Sequence, residues 1–324
     1  MKERIKGIVK RNTYLAAVLY TIHNLKLRLQ YAINIRTNSG ATHSTLTIND
    51  SINYIEDVFS DYQKVSGRLN FPGKIAEIGP GDSSGVAMMF LAHGADHVDL
   101  ADRFYSIRSD DHHAKVYAAL AKKYPKLSKI LKDVDLKTLS GLSQLVRYYG
   151  DQSSGEIFFE THKDYDVVIS RSVLEHVDDP ELVLRRMYDA LKPGGVLIHK
   201  VDLRDHGMFT PYAESTKFLE IPSCLYRAMT YRSGYPNRFL FHDYKRVLAE
   251  ICPNHTKFFI AAVHGMTDSL TRPVPVEDIP DNVIAIGTQA IQSVRYRLAK
   301  KFRGVPTQDL MINSFFFVCE KPVV

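Results

Sequence analysis

A short apolar segment that leads at once into a glycine-rich turn constrains this chain most. Residues 74–85 read KIAEIGPGDSSG, and the apolar residues VAMMFLA follow directly. Glycines let the chain turn tightly from a strand into a helix, and they let the backbone approach a ligand at the carboxyl edge of a sheet. The pattern therefore predicts a strand, a ligand-binding turn and a helix.

The rest of the chain alternates apolar strands and helical segments. Further strand patterns lie at 97–102, 165–170, 196–203, 257–263 and 314–320. A helical pattern over 181–191, then a Pro-Gly-Gly turn, separates two of them, which implies parallel strands with right-handed crossovers. The last two runs are expected to close the sheet as an antiparallel pair. We predict an α/β, Rossmann-like, doubly wound, mostly parallel sheet of seven strands with an antiparallel last strand.

This pattern divides the chain into three regions. A basic helical segment comes first, a Rossmann-like core follows, and a helical substrate cap with the C-terminal strands comes last. Their bounds are 1–70, 71–205 and 206–324. In the first region, Asn-Asp-Ser at 49–51 offers N-caps for a helix that ends before Gly67. The stretch 105–147 reads as a polar, helical insertion or a long crossover.

The net charge of +6 is concentrated at the N-terminus. Residues 1–36 carry eight basic residues against Glu3, so the rest of the chain sums to −1. The basic residues are Lys2, Arg4, Lys6, Lys10, Arg11, Lys26, Arg28 and Arg36. A nucleic-acid enzyme is expected to carry basic surface around its cleft, so we predict no nucleic-acid partner.

The basic N-terminal segment also has apolar residues at helical spacing, from Tyr14 to Leu29. His23 and Asn24 interrupt it too soon for a membrane-spanning helix, and no small-residue cleavage site follows. Two interpretations stay open. The helix either packs on its own domain with a solvated basic face, or lies on an anionic membrane surface.

The cysteine pattern bears on the compartment. Cys224, Cys252 and Cys319 lie far apart, a spacing that supports neither a disulfide framework nor a zinc site. We therefore expect a cytoplasmic protein, with peripheral membrane attachment as a variant, and leave a homodimer open.

Glu77 and the glycine spacing distinguish between ligands of the turn. A carboxylate at the mouth of the turn opposes a dinucleotide pyrophosphate by roughly 4 kcal/mol for unit charges 4 Å apart at an effective dielectric of 20. The third glycine, Gly85, also comes one residue later than in the dehydrogenase pattern G-x-G-x-x-G. S-adenosylmethionine fits both facts, because it is cationic at its aminoacyl end and has no phosphate.

Asp102 ends the second predicted strand, seventeen residues after Gly85. An acidic side chain at this position accepts hydrogen bonds from both ribose hydroxyls. Asp99 is the alternative for this role. Phe104 or Tyr105, which follow Arg103, is expected to pack against the adenine. Asp102 thus predicts a nucleoside ligand without naming it.

Four motifs in order make the chain resemble a class I S-adenosylmethionine-dependent methyltransferase over residues 71–205. They are EIGPGDSSG, DLADRF, YDVVISRSVLEHV and LKPGGVLIHKVDL. The resemblance implies that Glu77, Gly79, Pro80 and Gly81 flank the methionine part of the cofactor, that Asp102, with Arg103 and Phe104 after it, holds the nucleoside, and that Ser170 lines the methionine side. For the adenine amino group it leaves Asp151 and Glu156 open. The product is then S-adenosylhomocysteine.

Candidate groups for proton transfer follow the fourth and fifth predicted strands. They are Glu175, His176, Asp202, Asp205 and His206. Methyl transfer from a sulfonium is an in-line displacement, which needs alignment of the acceptor and, for a hydroxyl acceptor, a base. His206 is the first candidate for that base and His176 the second, and a structural histidine is the alternative for both.

A metal site is the alternative chemistry. Ubiquinone-pathway O-methyltransferases, which resemble this segment, carry a second carboxylate where Ser172 stands here. One carboxylate and one histidine are too few for a hard cation unless Asp202 or Asp205 joins. We therefore predict no metal.

Asn237 and Arg238 are predicted to bind the acceptor, because amide and guanidinium donors beside a turn suit a polar or anionic group. An arginine that braces the cap is the alternative. The resemblance to methyltransferases of bacterial polysaccharide and natural-product clusters implies O-methylation of a polar small molecule, natural product or saccharide. Other functions left open are a nicotinamide-dependent oxidoreductase and a non-catalytic binding protein of this fold.

Overall fold

The computed structural model describes residues 13–32, 43–209 and 216–323. Six of the basic residues that produce the N-terminal charge lie outside the described residues. They are Lys2, Arg4, Lys6, Lys10, Arg11 and Arg36.

Eight strands form one sheet in the order β3-β2-β1-β4-β5-β8-β6-β7. The strands are β1 Gly73–Ile78, β2 Ala95–Asp102, β3 Leu145–Tyr149, β4 Tyr165–Arg171, β5 Leu191–Asp202, β6 Thr256–Val263, β7 Val274–Pro275 and β8 Ile312–Glu320. The α-helices are α1 Thr13–Ala32, α2 Ile48–Ser66, α3 Gly85–Ala92, α4 Asp110–Lys123, α5 Pro125–Ile130, α6 Phe158–Thr161, α7 Pro180–Asp189, α8 Ser223–Thr230, α9 Phe241–Ile251, α10 Asp281–Val294, α11 Lys300–Arg303 and α12 Thr307–Leu310. In the described part of the chain, no helix is long and apolar enough to cross a membrane.

The strand directions confirm the predicted fold class. β1 pairs in parallel with β2 and β4, and β2 pairs in parallel with β3. β8 runs antiparallel to β5, because the N–H of Gly194 donates to the carbonyl of Lys321 while the N–H of Leu203 donates to that of Asn313. The count of seven strands was one too low, since the two-residue strand β7 pairs antiparallel with β6 at the edge.

Three local predictions were wrong in detail. The stretch 105–147 is not helical throughout, because it runs into β3, whose mixed sequence Leu-Val-Arg-Tyr-Tyr lacks a clear alternation. Pro193-Gly194-Gly195 lies within β5 rather than in a separate turn, although Gly194 has φ 77°. Thr47, and not 49–51, caps α2, since its side chain accepts the N–H of Asp50.

The described residues form two compact units. The glycine-turn unit contains 43–171, 185–199 and 318–323, and the histidine unit contains 13–32, 172–184, 200–209 and 216–317. Each unit takes its residues from several parts of the chain. The division into three consecutive regions stays a prediction.

Each unit has an aromatic core. In the glycine-turn unit, the ring of Phe90 lies 5.0 Å from that of Phe59 and 4.9 Å from that of Phe71. In the histidine unit, the ring of Phe315 lies 4.9 Å from Phe241 and 5.3 Å from Tyr244. Because each such side chain stabilises by roughly 1.5–3 kcal/mol when buried, these clusters give the functional segments a rigid base.

Candidate active site

The glycine turn after β1 owes its shape to two residues with positive φ. Gly79 has φ 69° and Gly81 has φ 65°, which are left-handed conformations that glycine adopts without strain. The N–H of Gly79 also donates to the carbonyl of Ala101 on β2 at 2.9 Å. The predicted glycines therefore fix the turn beside the ends of β1 and β2.

Glu77 on β1 is a buried acid with an unsatisfied oxygen. It is 8% exposed, and its Oε2 has no hydrogen-bond partner among the residues that the structure describes. Burial raises the pKa of Glu77 to about 8, although the nearby Arg147 cation opposes this and the Asp102 carboxylate adds to it. A cationic group supplied by a ligand would satisfy this carboxylate, so Glu77 fits the aminoacyl end of S-adenosylmethionine.

Asp102 stands at the end of β2 with its carboxylate directed back to the turn. It accepts the N–H of Phe104 at 2.8 Å and the N–H of Gly81 at 3.3 Å. Burial raises its pKa to about 6, while these two N–H groups and Arg147 lower it. The alternative ribose ligand, Asp99, lies inside β2. The role of Asp102 as ribose ligand stays a prediction.

Both carboxylate oxygens of Asp99, the alternative ribose ligand, have partners inside the protein. The Tyr165 hydroxyl lies 2.7 Å from its Oδ2, and His97 Nε2 lies 2.9 Å from its Oδ1. Burial raises the pKa of this carboxyl, but these contacts together with Lys74 hold it below its usual value. Asp99 is thus part of an internal network of the sheet.

Arg147 is a residue of this site that the sequence did not reveal. From β3, its guanidinium donates to the carbonyl oxygens of Gly81 and Ser83 and to the Ser84 hydroxyl. These contacts fix the glycine turn, which follows β1, to a side chain of β3. The only available signal was a basic residue in the short run Leu-Val-Arg-Tyr-Tyr, which did not predict a strand.

The other predicted nucleoside residues lie near the ends of β2 and β3. The Arg103 guanidinium donates to the Asp151 carboxylate at 3.2 Å, and the rings of Tyr105 and Tyr149 are 4.5 Å apart. Glu156, the second candidate for the adenine contact, is partly exposed further along the chain. The structure therefore brings Asp151 to Arg103, and the choice between the two acids stays open.

Ser170, at the penultimate position of β4, is engaged inside the sheet. It is fully buried, and its hydroxyl lies 2.7 Å from Nδ1 of His199 on β5. Burial lowers the pKa of His199 to about 3, so this imidazole is neutral. The side chain of Ser170 thus has an internal partner, and its predicted role beside the methionine part stays a prediction.

In the histidine unit, Glu175 and the two predicted base candidates come together. His206 Nε2 lies 3.8 Å from Glu175 Oε1, and the rings of His176 and His206 are 4.8 Å apart. Glu175 follows the end of β4 by four residues and His206 follows the end of β5 by four. His206 has φ 50°, an uncommon conformation for a residue with a Cβ. Such strain is often found at functional sites.

Burial shifts the pKa of both neighbours of His206 toward the uncharged form. Glu175 is 1% exposed, neither carboxylate oxygen has a hydrogen-bond partner in the described chain, and burial followed by the Asp202 charge raises its pKa well above the usual value. Burial of the ring, then the neighbouring His206, lowers the pKa of His176 to about 3. Burial therefore favours the uncharged form of both groups that flank His206.

These three side chains also form a candidate metal site. One ligand atom from each of Glu175, His176 and His206 lies within 4.8 Å of the other two. The third member of this group is His206. Asp202 and Asp205, which the sequence offered as additional ligands, are not part of it, and the absence of a bound metal stays a prediction.

The two aspartates have other partners. Asp202 accepts hydrogen bonds from Nε of Arg204 at 2.7 Å and from its Nη2. Asp205 accepts the N–H groups of Gly207 at 2.9 Å and Phe209 at 3.2 Å. Neither carboxylate belongs to the group of three potential ligands.

Asn237 holds the segment that carries Glu175. Its Nδ2 donates to the carbonyls of Leu174 at 2.8 Å and Val177 at 3.0 Å, and its Oδ1 accepts the N–H of Phe239. The backbone N–H of Asn237 donates to the Glu175 carbonyl. These contacts give Asn237 a supporting function, and its predicted contact with the acceptor stays a prediction.

Arg238 contacts the cap in the way that the bracing alternative describes. Its Nη1 donates to the carbonyls of Ile221 at 2.6 Å and Phe218 at 3.4 Å, and its guanidinium lies 4.2 Å from the ring centre of Tyr226. Burial lowers the pKa of Arg238 to about 10. The contacts of the two neighbours thus differ, since Asn237 contacts the Glu175 segment and Arg238 contacts the cap. The predicted binding of the acceptor by Arg238 stays a prediction.

Comparisons with known proteins place the chain in a family. A family model described as a methyltransferase domain matches residues 52–249, more than half of the chain. The match confirms the predicted family, and with it the predicted cofactor, S-adenosylmethionine. A search of curated protein sequences gives no significant match.

Three solved structures illustrate the similarity of fold. Phosphoethanolamine N-methyltransferase 2 of Haemonchus contortus, with phosphomonomethylethanolamine and S-adenosylhomocysteine, is 14% identical over 82% of this chain and 52% of that one, with a TM-score of 0.41. A putative methyltransferase of Haloferax volcanii in complex with the Trm112 activator is 14% identical over 89% and 99%, with a TM-score of 0.41. A putative methyltransferase of Bacillus halodurans is 16% identical over 81% and 99%, with a TM-score of 0.38. This chain spans about half the length of the first of these.

Proposed function

The chain belongs to the methyltransferase domain family, and from this premise we propose that it is an S-adenosylmethionine-dependent O-methyltransferase. The proposed acceptor is a hydroxyl group of a polar small molecule, a natural product or a saccharide. The observation that carries the proposal is the contact of His206 with the buried Glu175 carboxyl, 3.8 Å away. This pair offers a proton acceptor for a hydroxyl beside a group that stabilises the resulting charge.

The glycine-turn unit binds the cofactor in this proposal. S-adenosylmethionine supplies a methyl group on a sulfonium, whose leaving group is already activated. Glu77 takes the ammonium of the aminoacyl end, and Asp102 accepts hydrogen bonds from the ribose hydroxyls. Arg147 keeps the carbonyls of the turn in place, so that the backbone is ordered before the cofactor binds. Such ordering reduces the entropy that binding must lose.

The proton of the acceptor hydroxyl is transferred to a residue of the histidine unit. His206 Nε2 accepts the acceptor's hydroxyl proton as the oxygen forms its bond to the methyl carbon, so the products are a methyl ether, S-adenosylhomocysteine and a protonated imidazole. In this step Glu175 is already ionised, and its negative charge stabilises the protonated imidazole. Because the carboxylate is buried, this attraction is stronger than it would be in water. Glu175 is therefore a positioning and charge-stabilising residue, and His206 is the base.

Metal-assisted methyl transfer is the second candidate, and the grouping of Glu175, His176 and His206 favours it. Two imidazoles and one carboxylate form a donor set that suits a divalent transition metal. In that case His206 binds the metal and does not accept the proton. The two candidates therefore predict different responses to a chelator.

The test combines methyl transfer with cofactor binding. With methyl-labelled S-adenosylmethionine and a panel of phenols, hydroxy acids, hexoses and primary amines, we expect label in an ether product and turnover lower by roughly 10²–10⁴ in His206→Ala. Calorimetry should give an unchanged affinity for S-adenosylhomocysteine. His255→Ala, an exposed histidine of the same unit, is the matched control.

Four outcomes contradict parts of the proposal. Near-normal turnover of His206→Ala shows that His206 is not the base. Label only in amine acceptors contradicts O-methylation. Loss of activity with a chelator, followed by recovery with a divalent metal, replaces the base mechanism by the metal mechanism. Absence of S-adenosylhomocysteine binding contradicts the placement of the cofactor site.

A further inference from the structure

Helix α1 presents its large apolar side chains to solvent. Each of six such residues exposes between 44% and 68% of its surface. They are Tyr14, Leu15, Val18, Leu19, Ile22 and Leu25. At 100° per residue, these side chains occupy a continuous arc of about 140° around the helix and extend about 17 Å along it. A helix that packs normally on its own domain would bury this side.

The opposite side of α1 fixes the helix to its unit. Ala16 and Ala17 are fully buried, and the Tyr20 hydroxyl donates to the carbonyl of Met208 at 2.6 Å. Nδ2 of Asn24 donates to the carbonyls of Ala228 at 3.0 Å and Tyr231 at 3.2 Å, around the end of α8. Small and polar residues thus make the internal contacts, and these contacts determine which side faces outward.

Basic and aromatic residues lie on α1 and at the end of α8. Lys26 is exposed within the apolar arc of α1, and the guanidinium groups of Arg227 and Arg232 lie 5.7 Å and 5.8 Å from the ring centre of the exposed Tyr231. Asn24 links this group to α1 through the Tyr231 carbonyl. The nearby acid is Asp178, whose carboxylate accepts the Arg232 N–H at 2.9 Å.

The sequence adds to this positive charge. No Asp or Glu occurs between Glu3 and Asp50, whereas Lys26, Arg28 and Arg36 lie in that interval. An apolar helix face with neighbouring cations and an interfacial tyrosine is the pattern of a helix that lies in the headgroup region of an anionic bilayer. A second copy of this chain would bring a like-charged surface to the same place.

We propose that the outward face of α1, together with Lys26, Arg227, Tyr231 and Arg232, docks the protein on an anionic lipid surface. The apolar arc enters the boundary between headgroups and acyl chains, and the cations pair with lipid phosphates. None of the residues of this surface belongs to the group of Glu175, His176 and His206. The proposal is therefore independent of the methyl acceptor.

The absence of tryptophan from the chain allows a direct test. Val18→Trp places a single fluorophore in the apolar arc, and Leu69→Trp places one at an exposed site of the glycine-turn unit. With vesicles of equal parts phosphatidylglycerol and phosphatidylcholine, we expect Val18→Trp emission to move to shorter wavelength and Leu69→Trp emission to stay. Pure phosphatidylcholine vesicles should give a much weaker shift.

Cosedimentation with the same vesicles separates the two contributions. Lys26→Gln with Arg227→Gln should lower the vesicle partition coefficient roughly 10- to 30-fold, since each cation near an anionic surface contributes about fivefold. Lys122→Gln with Lys126→Gln changes the net charge equally at exposed sites of α4 and α5, and should leave partition almost unchanged. Val18→Ser with Ile22→Ser should lower it about tenfold or more.

Two results would overturn the proposal. One is unshifted Val18→Trp emission with anionic vesicles, at a melting temperature equal to that of the unmodified chain. The other is a shift without lipid that grows with protein concentration and accompanies a dimer in sedimentation, which assigns the face to a second copy.

Discussion

The glycine turn differs in construction from the group of His176, His206 and the adjacent Glu175, which we call the histidine pair. At the turn, Glu77 and Asp102 come from adjacent parallel strands, and burial raises the pKa of both, to about 8 and about 6. At the histidine pair, burial acts in opposite directions, because it raises the pKa of Glu175 and lowers that of His176. At the first site, Glu77 Oε2 has no hydrogen-bond partner among the described residues, and a cationic ligand can supply one. At the second site, burial favours the uncharged form of both groups.

The largest expected effect follows from removing the acid of the histidine pair. Glu175→Gln keeps the shape of the side chain but cannot become the carboxylate that stabilises protonated His206. We expect turnover to fall roughly 10²–10³-fold, while affinity for S-adenosylhomocysteine stays unchanged. Steady-state methyl transfer and calorimetry measure the two quantities.

A pH profile separates this role from a structural one. Burial raises the pKa of Glu175, so if its ionised form supports the base, activity of the unmodified chain should fall as the carboxyl is protonated on the acid side, and Glu175→Gln should change this part of the profile. Glu277→Gln, an exposed acid of the same unit, is the control. A Glu175→Gln enzyme with lower turnover but an unshifted profile and a lower melting temperature indicates a packing role only.

The sequence predicted the two sites to different extents. Glu77, Gly79, Gly81 and Asp102 were recognisable because a strand, a tight turn and a strand end have fixed local spacings. Arg147 was missed because it reaches the turn from β3, more than sixty residues after Gly81 along the chain. Its strand has no alternation that would predict it.

At the histidine pair, the sequence named His176 and His206 but not their contact with each other or with Glu175. That contact depends on a positive φ at His206, and no local pattern predicts such a conformation in a histidine. It also depends on Asn237, sixty residues away, which holds the Glu175 segment. For α1, the helical spacing was visible, but the side that faces outward is decided by partners such as Met208 and Ala228.

The second-largest expected effect is a pH dependence of the affinity for the cofactor product, and it arises from Glu77 at the glycine turn. The pKa of Glu77 is about 8 instead of its ordinary 4.5, so below pH 8 the carboxyl is mostly protonated and must lose its proton to pair with an ammonium. Affinity for S-adenosylhomocysteine should therefore rise close to tenfold per pH unit between about pH 6 and 7.5. Glu77→Gln should bind more weakly and nearly independently of pH.

The same raised pKa has a consequence for stability without cofactor. The folded state binds the Glu77 proton more tightly than the unfolded state, so this contribution is complete below about pH 4.5 and is lost as pH rises through about 8. Thermal unfolding of the cofactor-free protein should show this loss, and Glu77→Gln should not. A pH-independent affinity in the unmodified chain contradicts the pairing of Glu77 with a cation.

The smallest expected effect concerns Asn237. Replacing it tests whether Asn237 supports the histidine pair or contacts the acceptor. Asn237→Ala removes the donor to the Leu174 and Val177 carbonyls, so we expect the free energy of unfolding to fall by about 1–3 kcal/mol. Turnover should fall severalfold, because Glu175 and His176 lie on the segment that these bonds hold. The KM for the acceptor should stay nearly constant.

Asn282→Ala, exposed at the start of α10, is the control in urea unfolding. A raised acceptor KM at unchanged stability would instead support direct binding by Asn237. The proposed acceptor site would then include the loop that precedes α9 as well as the histidine pair.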